Sequence, residues 1–191
     1  MPSSGEVAQA LYGTWRFARL DRSALRYFDL SHRGVWLSFW SAALCYPGFL
    51  ILLFLRVSAD AIQRSGLMQI ALAETIGYII AWCAFPLLVL GFTRWIGREQ
   101  QGFDFIVAYN WSQALQTALF VIVGLINLVM IAPGDETSVD LITPVALIAS
   151  LAYEWFVALV AIGAGGWIAL VIVLGDVVIG ATVQTITAAL Y

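Results

Sequence analysis

Residues 141–190 read LITPVALIASLAYEWFVALVAIGAGGWIALVIVLGDVVIGATVQTITAAL. Glycines at 163, 165 and 166 divide this stretch into two apolar arms, with Glu154 the one charge in the first and Asp176 the one charge in the second. An arm of about 20 apolar residues, rising about 1.5 Å each, crosses a bilayer core. Glycine takes positive φ without steric cost, so Gly163-Ala164-Gly165-Gly166 suits a tight reversal. The stretch predicts a helical hairpin in a membrane. Glu154 lies nine residues before Gly163 and Asp176 ten after Gly166, which sets both carboxylates ~14–15 Å from the turn. A charge near the bilayer centre costs at least about 2.5–3.5 kcal/mol, so two at one depth need an explanation. Matched depth brings the pair within reach of a shared proton or cation if the two helices are suitably rotated, and rotation is not set by spacing.

Composition extends this reading to the whole chain. Of 191 residues, 62% are hydrophobic and 11% charged, and mean hydropathy is +0.91. Soluble domains are nearer half apolar and a quarter charged, so the apolar surface here exceeds what a water-soluble core hides. The fold class expected is all-α: a polytopic membrane helical bundle of five transmembrane helices with an N-terminal amphipathic helix. The spans fall at about 35–55, 67–92, 105–132, 141–162 and 167–190, all in one domain (35–191) after a polar segment (1–34). Pro47 is placed to kink the first span, and Asp29 and Ser31 offer capping oxygens ahead of it.

In residues 1–34 no apolar core of the length a cleaved signal peptide needs is present, so none is expected. Arg16, Arg19, Arg22 and Arg26 recur every three or four residues, which gathers them on one side of a helix. Leu11, Trp15, Phe17, Leu20, Ala24 and Phe28 surround them. A basic amphipathic helix on an anionic lipid surface is the expectation, and a solvated helix obeying the positive-inside rule is its alternative. All nine basic residues are arginine. With the N-terminus cytoplasmic, residues 1–34 supply five and the Arg94–Asp104 loop two, against Arg56 and Arg64 opposite, beside an acidic connection over residues 133–140. The arginine count gives N-terminus in and C-terminus out.

Polar residues inside the spans are the candidate site: Glu74, Asn110, Gln113, Asn127, Glu154, Asp176 and Gln184. Glu74 shares a face with Gly77 and Ala81, and Glu154 with Ser150, Ala158 and Ala161. Asp176 aligns with Gly180 and Gln184, while Asn110, Gln113, Thr117 and Gly124 form one arc of the third span with Asn127 at its margin. Two readings stay open: hydrogen-bonding glue between closely packed helices, or a path for a proton, ion or ligand. Enzyme signatures are absent. His32 is the lone histidine, and no P-loop, Cys-x-x-Cys or His-Glu-x-x-His occurs, so neither catalysis, a metal site nor a cofactor is expected. Cys45 and Cys83 lie in apolar runs and read as buried thiols.

Five spans after a polar N-terminus, the loop Gly97-Arg98-Glu99-Gln100-Gln101-Gly102-Phe103, the aromatic run Val107-Ala108-Tyr109-Asn110-Trp111 and two closely coupled last spans resemble the Yip1-domain membrane proteins, in their short bacterial form. The resemblance covers roughly residues 35–190. The Asp-Leu-Tyr-Gly-Pro element of eukaryotic members is missing, since Leu11-Tyr12-Gly13 lacks both flanking residues. A GTPase-linked trafficking role is therefore not implied. The resemblance implies a scaffold or membrane-organising protein without catalytic residues. The expected partners are membrane lipids and transmembrane helices of other proteins or of a second copy, with no nucleic acid, in a bacterial inner membrane. The runner-up is a small transporter or proton/cation conduit subunit using Glu74, Glu154 and Asp176.

Overall fold

The hairpin forms as its glycines require. In the computed structural model, which describes residues 1–130 and 140–191, helix α7 (Ile142–Ile162) ends at Gly163, whose φ of 62° is left-handed, and α8 (Gly166–Ala188) starts after Gly165 at φ 94°. Both angles are costly for any residue with a Cβ. Arg98 Nη1 donates to the carbonyls of Ile162 (3.0 Å) and Gly163 (3.2 Å), a cation on the negative end of α7.

Ahead of the hairpin come α1 (Ser4–Ala18), a 3₁₀ turn (Arg22–Tyr27), α2 (His32–Ser38), α3 (Trp40–Arg56), α4 (Ala59–Ser65), α5 (Leu67–Trp95) and α6 (Glu99–Met130). Among the described residues there is no β-strand, and the protein is an all-α bundle. Among the described residues five stretches are long and apolar enough to cross a membrane: His32–Arg56, which joins α2 and α3, then α5, α6, α7 and α8. The acidic connection read at 133–140 and the end of the third span at 131–132 lie outside the described residues, except for Asp140.

Helix α6 is the centre. Every residue from Phe105 to Ser112 is buried, and a helix enclosed all round must have partners on all sides. They are α1, α2, α3, α5 and α7. Phe85 meets Phe105 edge-on at 6.1 Å and Tyr109 at 4.6 Å between ring centroids. Helix α1 opens with a capping box of Ser3 and Glu6 and buries Ala10, Gly13, Thr14 and Phe17.

Two expectations change. The N-terminal arginines do not share one helix: α1 stops at Ala18 and Leu20 takes a left-handed φ of 57°. The chain folds back because Phe28 packs so closely on Gly13 that a Cβ there would lie 2.8 Å from its ring, while Asp21 caps the 3₁₀ turn and accepts from Arg16 Nε at 2.6 Å. Arg16 is thus tied inward, whereas Arg19, Arg22 and Arg26 are exposed. The loop expected over Arg94–Asp104 is mostly helix. Only residues 96–98 separate α5 from α6, because Gly102 admits Thr93 of the antiparallel neighbour, whose Oγ1 would lie 2.2 Å from a Cβ. Both helices therefore outrun the apolar windows of residues 67–92 and 105–132.

Candidate polar clusters and an open cleft

The intramembrane polar residues separate into distinct clusters rather than one site. Glu74, buried in α5, pairs with Arg56 from the end of α3, Nη2 to Oε2 at 2.9 Å. Its Oε1 accepts from the Tyr191 hydroxyl at 2.6 Å and from Gln184 Nε2 at 3.4 Å. Arg56 Nη1 in turn donates to Gln184 Oε1. The Glu74 side chain is 4% exposed and that of Arg56 47%, so the arginine carries the pair's connection to solvent. One turn along, Gly77 lets α8 approach until Thr187 Cγ2 would stand 2.4 Å from a Cβ; small residues at helix crossings permit such contact.

Glu154 and Asp176 form a second cluster at the facing surfaces of α7 and α8. Their carboxyl groups lie within hydrogen-bonding range of each other, and Tyr109 of α6 donates to Asp176 Oδ1 at 2.8 Å. A hydrogen bond between two carboxyls requires a proton on one of them. Glu154 Oε1 is buried with no partner among the described residues.

A third set runs along α6. Asn110 Nδ2 donates to Ser38 Oγ at 2.8 Å. The Tyr153 hydroxyl bridges Ser112 Oγ (2.9 Å) and the Thr14 carbonyl (3.2 Å), and Ser150 donates to Gln116. Each bond joins two elements, which is the glue pattern of membrane bundles. Asn127 Nδ2, near the far end of α6, donates to Asp140 Oδ2 (3.0 Å) and Thr143 Oγ1 (2.9 Å). Asp140 Oδ1 also caps α7 through the amides of Ile142 and Thr143. The Thr143 hydroxyl and amide, with Asn127, hold the Asp140 carboxyl below its ordinary range. Gln113 has no side-chain hydrogen-bond partner among the described residues, and Gln184 serves Glu74 rather than Asp176 on its own helix.

Arg56, Tyr109, Ser38, Tyr153 and Tyr191 are the partners that spacing did not single out. One signal was available for Arg56: a lone cation ends the first span and a lone carboxylate opens the second across a short connection, and two such groups seek each other in an apolar medium. Cys45 is buried and Cys83 is exposed, so the expectation of two buried thiols holds for Cys45 alone. Cys83 lies on the outward face of α5 with exposed Ile79, Ile80 and Leu87.

An open cleft of about 780 Å³ lies elsewhere, between α3 and α6. Phe49, Leu52, Phe120, Val123 and Leu128 make its apolar wall, and Arg56, Gln184, Asn127, Asp140 and Thr143 its polar rim. A smaller recess of about 400 Å³ places Arg22 beside Leu159, Val160 and the turn glycines. Against known proteins, the chain matches no family model, no curated protein and no solved structure.

Proposed function

We propose that this integral membrane protein is a scaffold that organises its bilayer by binding lipid and partner helices, the role its resemblance to Yip1-domain proteins implies. The supporting observation is how its polar groups are used. Those inside the packed half join helix to helix, and the open volume is an apolar cleft with a polar rim. A conduit built on Glu74, Glu154 and Asp176 together is disfavoured, because Glu74 is held by Arg56, Gln184 and Tyr191, apart from the other two. The conduit reading draws its support from the buried, unpartnered Glu154 Oε1 and from the nearness of the Glu154 carboxyl to Asp176.

Reconstituted vesicles separate the two. Under the scaffold reading, Glu154→Gln and Asp176→Asn assemble normally, retain lipid as the parent does, and show the same background proton and cation flux. A parental flux that either amide variant abolishes overturns the scaffold reading in favour of the conduit. The placement that goes with it is a bacterial inner membrane with the N-terminus cytoplasmic. Reporter fusions at residues 1, 98 and 191 are expected to read in, in and out.

A further inference from the structure

The cleft between α3 and α6 has the volume of a ligand site, about 780 Å³ within the usual range of roughly 300–1,000 Å³. Its wall of Phe49, Leu52, Phe120 and Val123 suits hydrocarbon. Its rim carries two charges of opposite sign, Arg56 closing α3 and Asp140 just ahead of α7. The Arg56 guanidinium lies half-exposed, and two of its nitrogens serve Glu74 and Gln184; a guanidinium has five N–H donors, so capacity for a phosphate remains. Glu74 behind it already cancels its charge. No arginine pairs with Asp140 among the described residues, and its capping bonds favour the ionised form.

This balance discriminates between headgroups. A phosphate alone would add a second uncompensated negative charge beside Asp140. A zwitterion adds no net charge: its cation meets Asp140 while its phosphate takes the remaining donors of Arg56, so the site keeps the single negative charge it already has. A primary ammonium offers three donors to that carboxylate, whereas a trimethylated one offers none. We infer that the cleft binds one zwitterionic phospholipid with a primary-ammonium headgroup, its chains along Leu52, Phe120 and Val123, its phosphate on Arg56 and its ammonium on Asp140. The inference rests on the lipid-binding reading above and names the lipid class.

The test uses the full chain in detergent, titrated with dioleoyl phosphatidylethanolamine, phosphatidylcholine or phosphatidylglycerol, with bound lipid counted by native mass spectrometry. The ethanolamine lipid is expected to bind most tightly. Asp140→Asn keeps a good helix cap while deleting the charge, and should weaken the ethanolamine lipid roughly tenfold, a loss of about 1.4 kcal/mol, to the level of the choline lipid. It should leave the glycerol lipid no weaker. Gly124→Leu fills the cleft where Leu55 and Leu52 already approach Gly124, and should remove specific retention of all three. Equal retention of choline or glycerol lipid by the parent overturns the headgroup assignment and leaves lipid binding standing. Retention unchanged by Gly124→Leu overturns the cleft as the site. Retention of no lipid at all defeats both the inference and the reading beneath it.

Discussion

The half of the bundle around the Gly163–Gly165 turn and the half around Arg56 and Asp140 share the same long helices and pack them differently. Near the turn, α1, the 3₁₀ turn and α2 wrap α6 so that Phe105 to Ser112 are all buried. Beyond Phe120 only Val123 of α6 is buried, and a cleft opens beside it. Inside the closed half, beneath surface ion pairs such as Arg16–Asp21 and Arg33–Glu6, buried polar side chains meet through hydrogen bonds between helices or as facing carboxyls. In the open half the principal contact is an ion pair whose arginine reaches outward. Closure follows from the added elements: α1, the 3₁₀ turn and the residue after it supply Phe17, Ala24 and Phe28 to one cluster, whereas α4 gives the other half's apolar cluster Ala61, beside Leu53 and Ile70.

The largest effect should come from hollowing the closed half. Phe105 is fully buried, and Phe105→Ala is expected to cost about 3–5 kcal/mol, the range for an enclosed phenylalanine. Phe120 borders the cleft and is half-buried, so Phe120→Ala should cost about 1 kcal/mol or less, since its site leaves little cavity behind. Reversible unfolding in mixed micelles measures both. Equal costs would break the contrast between the halves.

The next effect sharpens the account of the open half. Arg56→Met strands a Glu74 side chain that is 4% exposed. The expected cost is about 3 kcal/mol, at the low end for a broken buried pair because the arginine is partly screened by solvent. Glu74→Met strands only Arg56, which can extend to water, and should cost about 1 kcal/mol. The double variant should unfold close to Glu74→Met. Matching losses from the two single changes would mean that Glu74 also has access to water.

What the sequence reveals divides along the same line. The hairpin was legible because three glycines in four residues and two uninterrupted apolar arms are local signals. The five spans were legible because hydropathy is additive over a window. Their ends were not: Arg94 and Glu99 read as loop, yet they extend α5 and α6 past the apolar windows because Gly102 closes on Thr93. The N-terminal arginine period suggested one helix, and Leu20 in a left-handed conformation broke it; nothing local asks leucine to adopt that angle, which the packing of Phe28 on Gly13 stabilises from a distance. The candidate site was legible as a set of residues and not as clusters. Helical periodicity places Asp176 and Gln184 on one face, but only helix rotation and depth assign the first to Tyr109 and Glu154 and the second to Glu74.

The smallest expected effect is confined to the edge of the closed half, where Arg33 of α2 reaches Glu6 of α1 at 2.6 Å across 27 residues of chain. The Arg33 hydrogen bond, followed by those of the Ser3 amide and hydroxyl, holds the Glu6 carboxyl down from 4.5 to about 2. A carboxyl whose folded value lies below its unfolded value stabilises the fold above the unfolded value and loses that contribution as pH falls to the folded one. Attachment of α1 should therefore be intact above pH 4.5 and weaken between there and about pH 2. Asp21, held at about 2 by its Ser23 bonds and Arg16, loosens in the same direction at the base of the 3₁₀ turn. Both groups are partly exposed at the edge of the bundle, so the change should appear as local opening rather than global unfolding. Amide exchange across α1 measures it. Glu6→Gln should flatten the part of the pH response carried by the first turns, and Asp21→Asn the part near Arg16. An α1 whose exchange stays constant from pH 5 to 2 would show that Phe17 and Thr14, packed on α6 and α7, hold the helix without help from either ion pair.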